Sequence, residues 1–423
     1  MKRLPSQGRR ASAPRGFTLV EILVALAILI IIMLFVSQMV GSISKLWKTT
    51  SNKIDSFRDA RLAFQLMTDE LSQATTNTYW DYFDGNGYYA YQYYNNKSPA
   101  AITPFAPYTY GRQSELHFMS GPCVDTAQNQ RYSLFGATNP LTQGTPFTQG
   151  VFFVWPGNYT TSATYSSLNS LLNATGFFVE FSPDVLPGNI AYVANGPPTS
   201  LLTAYQPKYR FRLMQFVQPS ESLAVYKYSF VDPAQAVPQS NAPTDWFRLP
   251  IINSHKTSVR IVADNIIALF IWPKATDSPT DTLTTLLTAR TYPYVYDSRL
   301  GLFSDKQAWT PKTTPSQWLM MNQAPPILRI AMVALDEPSA AILQGTSTTL
   351  PASITNILSA TSPSTLNAMN TTVTPNTRIF TNPQNMDSDI AFLQTQLAAI
   401  TPKLNFHVFE TTIAVRSAKF STQ

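Results

Sequence analysis

Cysteine is nearly absent. The 423 residues hold one, Cys123, so no intramolecular disulfide can form and an exported domain would have to rely on packing. Cys123 lies in GPCVD, a turn-like setting without a neighbouring histidine, and reads as a buried small residue rather than a nucleophile. Histidine is almost as scarce: His117, His255 and His407 are dispersed, and His117 and His407 fall in strand-like runs where a satisfied structural imidazole is expected. There is no HExxH, no phosphate-binding P-loop and no GxSxG, so no metalloprotease, nucleotide-hydrolase or serine-hydrolase signature is present. Asp264, Asp336 and Glu337 stand at strand ends and read as turn or cap acids. Arg210 and Arg212 share one strand face and read as a solvated face or cross-strand ion pairs, an acidic partner being the alternative. The chain reads as a non-enzyme, and no cofactor is implied. Charged residues make up only 13% of the chain. The net charge is +6, but Lys2, Arg3, Arg9, Arg10 and Arg15 supply five of those charges, leaving +1 from residue 17 onward. The head therefore offers no basis for nucleic-acid binding.

One stretch is apolar almost without interruption: GFTLVEILVALAILIIIMLFVSQMV, Gly16 to Val40, whose single charge is Glu21. At about 1.5 Å per residue, some 20 of these residues make a helix about 30 Å long, the thickness of a bilayer core. A carboxylate there costs up to about 3 kcal/mol on insertion scales, so Glu21 is expected to have a partner. The leader MKRLPSQGRRASAPRG has five basic and no acidic residues, a cytoplasmic-side signature. The run is too long for an ordinary secretory signal. A plain anchor would need neither Gly16 nor Glu21, and a buried core helix would not follow a basic leader. From Gly41 to about Gln73 the pattern narrows to one face, with Ile43, Leu46, Trp47, Ile54, Phe57, Phe64, Met67 and Leu71 at steps of three, four or seven. No proline occurs between residues 15 and 98, which predicts one helical rod of about 55 residues. Trp47 with Lys45 and Lys48 suits a membrane-water boundary.

GFTLVE before an apolar helix resembles the prepilin signal of type IV pilins and type II secretion pseudopilins. The resemblance implies cleavage after Gly16 by a prepilin peptidase, N-methylation of Phe17, and neutralisation of Glu21 by the α-amine of a neighbouring subunit. It also implies that the chain spans the inner membrane once, with a cytoplasmic N-terminus and a periplasmic head. The segments SELHF, LLNATGFFVEF, YRFRLMQFVQPSESLAVY, VRIVADNIIALFIWP, APPILRIAMVALDEPSA and FETTIAVRSAKFS are similar to those of the Verru_Chthon cassette protein C family, itself similar to the minor pseudopilin J. That likeness implies a pilin-like subunit working with sister pilin-like proteins. The expected organisation is a cleaved leader (1–16), a transmembrane half-helix (17–40), an amphipathic half-helix (41–75) and an exported head (76–423). The expected fold class is α+β, a long N-terminal helix packed on an antiparallel β-sheet head with large loop insertions.

Strands are predicted at Glu115 to Phe118, Val151 to Trp155, Gly176 to Phe181, Lys208 to Phe216, Ser222 to Tyr228 and residues 327 to 335. Val259 to Val262 and Ile266 to Trp272 are expected to form a pair or one bent strand. The closing strand, LNFHVFETTIAVRSAKF, is long enough to suggest a central place in the sheet. Short helices are predicted from Ser167 to Ala174 and from Asp387, as its cap, to Ile400. Residues 338 to 386 are Ser/Thr/Pro/Asn-rich and read as a surface insertion. The segment YWDYFDGNGYYAYQYY, residues 79 to 94, reads as a tyrosine-rich hairpin turning at DGNG. Gly85 to Ala90 fits GxGxxA but follows a helix rather than a strand, and it is rejected as a phosphate loop. Asp81, Asp84 and Asn86 are weak calcium candidates, since no bidentate acid closes the loop. Two other functions stay open: an adhesive or sugar-binding head using Tyr88 to Tyr94 or the 338 to 386 arm, and an anchored exported hydrolase.

Overall fold

The computed structural model describes residues 18–84, 104–123, 133–136, 141, 144–183, 208–228, 244–274, 296–299, 322–354 and 386–418. The chain divides into two compact units, residues 1–54 and 55–423. Helix α1, Leu19–Ser72, is continuous through the boundary, as the absence of proline predicts. In the first unit its side chains from Leu19 to Trp47 are exposed, and this stretch is long and apolar enough to cross a membrane.

In the second unit α1 presents Ala60, Ala63, Phe64, Met67 and Leu71 to a buried core. These recur at steps of three and four, so they form one stripe. Each of the larger side chains contributes about 1.5 to 3 kcal/mol by burial. The stripe covers two antiparallel sheets. Six strands order as β7-β6-β5-β4-β3-β9: β3 Met119–Pro122, β4 Thr145–Trp155, β5 Asn173–Pro183, β6 Tyr209–Gln218, β7 Val259–Asp264 and β9 Tyr296–Asp297. Three more order as β11-β10-β8: β8 Ile266–Lys274, β10 Ile327–Leu335 and β11 Phe406–Ala414. A separate ribbon pairs β1, Tyr79–Phe83, with β2, Thr109–Gln113. The expected α+β class is the one observed.

The six-stranded sheet is covered on both faces, which is why GVFFVW reads as an unbroken apolar run and GFFVEF is interrupted only by the buried Glu180. On β5, Phe177, Val179 and Phe181 point to the core shared with α1, while Ala174 and Phe178 point to a second core. That second core is closed by α2, Asp245–Ser258, through Trp246, Phe247 and Ile251. Phe247 stacks on Phe152 at 3.8 Å and 6°. Pro250 stands inside this helix and Ser254 departs from helical backbone angles, so it is two helical pieces across a kink.

Several expectations are corrected. Val259 to Val262 and Ile266 to Trp272 belong to different sheets: the chain turns at Asn265, whose φ is 63°, and a pleated pair cannot continue through that conformation. Ser222 to Tyr228 forms 3₁₀ turns, Ser220–Ser222 and Ala224–Tyr228, instead of a strand. Ser167 to Ala174 is not helical. Its loop is tied at the base by Asn173, whose side chain accepts from the Tyr159 N–H and donates to the Tyr159 and Gln218 carbonyls, and β5 starts there. The strand expected at 115 to 118 begins instead at Met119. The closing strand is at the sheet edge, and β10 is central. The stretch 338 to 386 opens with helix α3, Glu337–Gln344, capped by Asp336 accepting from the Ser339 N–H. The rest of the insertion from 355 to 385 lies outside the described residues. Helix α4, Met386–Ala398, has Asp387 inside its first turn, where it pairs with Arg329 instead of capping.

Candidate assembly site at the helix N-terminus

Thr18 and Glu21 close the first turn of α1 reciprocally. The Thr18 N–H and hydroxyl both donate to Glu21 Oε2, at 2.9 and 3.0 Å, and the Glu21 N–H donates to Thr18 Oγ1 at 3.3 Å. The first intrahelical bond, Ile22 N–H to Thr18 C=O, makes Thr18 the N-cap and Glu21 the third helical residue. This is a capping box, and it meets the orphan N–H groups and positive end of the helix dipole with a carboxylate. Thr18 was legible as the Ser/Thr-x-x-Glu signature in TLVE, a signal masked by the stronger apolar pattern. Glu21 Oε1 accepts no hydrogen bond among the described residues, so one lone-pair face of the carboxylate remains for an external cation. Gly16 and Phe17 lie outside the described residues.

The other candidates are absorbed by the head. His117 is buried, with Nε2 2.7 Å from Asp297 Oδ1 and Nδ1 accepting from Trp246 Nε1–H at 2.9 Å. The indole bond fixes the tautomer: Nδ1 is the acceptor and Nε2–H donates to Asp297, so both ring nitrogens are engaged. His255 Nε2 meets Glu180 Oε2 at 3.0 Å, and His407 packs between Phe57 and Phe409. Arg210 forks onto both Glu337 oxygens, at 2.8 and 2.9 Å, and Arg212 donates to Asp264 at 2.9 Å. Both arginines are thus used inside the head, with Glu337 and Asp264 as their partners, while Asp336 caps α3. Burial opposes ionisation of Glu337, but donation from Asn265 and Arg210 outweighs it and holds the carboxyl below its usual range. Cys123 is buried and free, and burial pushes its thiol up, away from thiolate chemistry.

The hairpin expected within residues 79 to 94 is corrected: β1 pairs with β2, Tyr79 opposite Gln113 and Phe83 opposite Thr109, so its partner lies beyond that segment; Asn86 and Tyr88 to Tyr94 lie outside the described residues. Asp81 Oδ1 accepts from the Tyr82 N–H, Asp84 is buried beyond β1, and among the described residues no three His, Cys, Asp or Glu side chains cluster as a metal site. Trp80 stacks on Tyr110 at 5.1 Å and lies beneath Arg112, and Tyr82 tilts onto Tyr110 at 5.0 Å. These ring surfaces contact one another across the ribbon.

Residues 12–37 match the family model of the prokaryotic N-terminal methylation motif. No curated protein and no solved structure matches the chain significantly. The matched stretch contains Gly16, Phe17, the Thr18–Glu21 capping box and most of the apolar run. The motif indicates a type IV pilin-like, prepilin-processed chain, implies assembly with other pilin subunits, and fits membrane anchoring by the apolar helix.

Proposed function

We propose that the protein is a minor pilin-like or pseudopilin-like structural subunit. Prepilin peptidase cleaves between Gly16 and Phe17, the Phe17 amine is methylated, and the helix enters a pilus-like or secretion-type filament or tip complex. A methylated amine stays cationic. Paired with Glu21 of a neighbouring subunit, it turns two charges unfavourable in lipid into one neutral contact, available only when subunits stack in register. The observation that carries this reading is the motif match at 12–37 together with the uncommitted Glu21 Oε1 at the helix start. Before cleavage the basic leader stays in the cytoplasm, and the head lies in the periplasm of a single-pass inner-membrane protein. The strand blocks similar to cassette protein C and pseudopilin J favour sister pilin-like heads as partners.

Mass spectrometry of the native N-terminus tests the proposal: the mature chain begins with N-methylated Phe17. A mature chain retaining residues 1–16 would overturn it.

A further inference from the structure

The strand edges of the head are protected unequally. β8 has β10 on one side; on the other, its Leu269 and Ile271 N–H groups donate to the Thr148 hydroxyl and the Gln149 side-chain oxygen, at 3.3 and 2.8 Å. Those two residues belong to a bulge in β4, where the register shifts between Phe147 and Gly150 and Thr148 takes φ 58°. β9 is two residues long, and β7 is short and carries Arg260 and Asp264. β11 differs. It runs nine residues, FHVFETTIA, with no proline, no lysine or arginine and no register shift against β10. Its one charge, Glu410, is engaged by Arg329. Among the described residues, β11 thus lacks the proline, lysine and bulge that ordinarily blunt an edge.

The groups that face outward are set by the register. Val415 N–H donates to Pro326 C=O, and Asp336 N–H donates to Asn405 C=O. In an antiparallel ladder hydrogen-bonded pairs alternate, so His407, Phe409, Thr411 and Ile413 direct their backbone groups to β10. Phe406, Val408, Glu410, Thr412 and Ala414 direct theirs away from it, and no hydrogen bond to these outward groups is found among the described residues. The result is a row of outward donor-acceptor pairs repeating about every 6.8 Å, which only an extended backbone matches. The helix flank above this edge is identified by Phe57 on His407 and Phe64 on Phe409. Arg61 lies on the same flank, four residues after Phe57 and three before Phe64, exposed and without an ion pair among the described residues.

We propose that β11 is a strand-addition site, where an extended segment of a second protein extends the β8-β10-β11 sheet and sets acidic side chains against Arg61. Backbone bonding gives this interaction its affinity and the helix flank gives it charge selectivity. Self-pairing through the same edge keeps the helix-facing side of both strands in common, and on β11 that side carries His407, Phe409, Thr411 and Ile413 with no acid to set against Arg61, so the partner is a different polypeptide.

The test uses the full-length protein in mild detergent and an alternating valine-glutamate heptapeptide as the probe. Saturable binding is expected, with slowed amide exchange at Val408, Glu410 and Thr412 and not at Thr411. Thr412→Pro removes an outward N–H that β10 does not use, so the thermal transition is retained while affinity falls by about tenfold or more. Arg61→Glu weakens binding several-fold, most at low salt. The same peptide with its edge-facing amides N-methylated fails to bind the unaltered protein, a readout that needs no variant to fold. The proposal is overturned by an unchanged amide-exchange pattern, by equal binding of the N-methylated peptide, by equal binding of a valine-lysine peptide, or by Thr412-dependent dimerisation of the chain itself. All of these readouts are independent of whether Phe17 is methylated.

Discussion

Glu70 on helix α1 is bonded by Gln215 on β6: the Gln215 amide nitrogen stands 2.7 and 3.0 Å from the two carboxylate oxygens, and Arg260 donates to the far side of the same glutamine at 2.7 Å. Thr175 on β5 approaches at 3.4 Å. The neighbouring helix positions that face the sheet are apolar, so this one carboxylate fixes the rotation and axial register of residues 55–72 on the strands. Burial pushes the Glu70 carboxyl above its ordinary range, against the opposing effects of Gln215, Arg260 and Thr175.

The first prediction concerns that raised carboxyl. Because the folded state holds the Glu70 proton more tightly than the unfolded chain, its stabilising effect is complete below the unfolded value and is lost as pH rises through the folded one. Glu70→Gln should therefore lose least relative to wild type at neutral pH and most in acid. Glu70→Leu strands Gln215 and should cost about 1 to 3 kcal/mol. Urea melts of all three proteins between pH 4 and 8 provide the check. Parallel pH profiles for wild type and Glu70→Gln would refute the assignment.

Glu21→Leu separates assembly from processing. The Thr18 hydroxyl and N–H lose their acceptor, but the peptidase-side sequence through Phe17 is intact, so cleavage should continue while filament incorporation falls. Immunoblots for mature size, beside quantification of the chain in sheared filaments, give the two readouts; incorporation at wild-type levels would refute the charge-pair mechanism. Gly16→Ser should instead accumulate uncleaved precursor.

Gly176 is a packing requirement. A Cβ built there would stand 2.1 Å from the ring of Phe152, the ring that stacks on Phe247 of α2. Gly176→Ala must displace that ring within a closed core and should cost about 1 to 3 kcal/mol. A thermal melt within about 1 °C of wild type would show that the core is looser than described.

Asn265 should tolerate glycine better than valine. Its φ of 63° suits asparagine or glycine, and its amide donates to Glu337 at 2.8 Å while its backbone bridges Phe211 and Leu335. Asn265→Val combines a strained backbone with a lost hydrogen bond and should cost about 2 to 4 kcal/mol, whereas Asn265→Gly loses chiefly the side-chain bond. Denaturant midpoints of the two variants rank them.

Local patterns were legible where one element settles them. The helix from Leu19 to Ser72 is set by stripe spacing and missing proline, the strand at Val151 to Trp155 by its apolar run, and that at Lys208 to Phe216 by aromatic-rich alternation. Elements defined by distant partners were not legible. α2 forms despite Pro250 because Trp246, Phe247 and Ile251 cover the outer face of a sheet whose strands lie elsewhere in sequence. The Ser222 to Tyr228 segment has strand-like composition, but among the described residues no strand pairs with it and it turns as 3₁₀. At the candidate site, Glu21 was conspicuous as a lone acid in an apolar run, while the capping signature it makes with Thr18 was masked by that same run.

By itself the sequence determined the apolar N-terminal helix, the charge asymmetry across its start, the prepilin-type motif around Gly16 and the β-rich character of the head, because all of these depend on contiguous residues and short periods. Only the tertiary structure decided which strands share a sheet, that Asn265 divides one apolar stretch between two sheets, and that Arg210 and Arg212 have internal acids. It also placed β11 at the edge of its sheet, since pairing partners as far apart in sequence as Met119 and Asp297 are selected by packing and hydrogen-bond register rather than by local propensity.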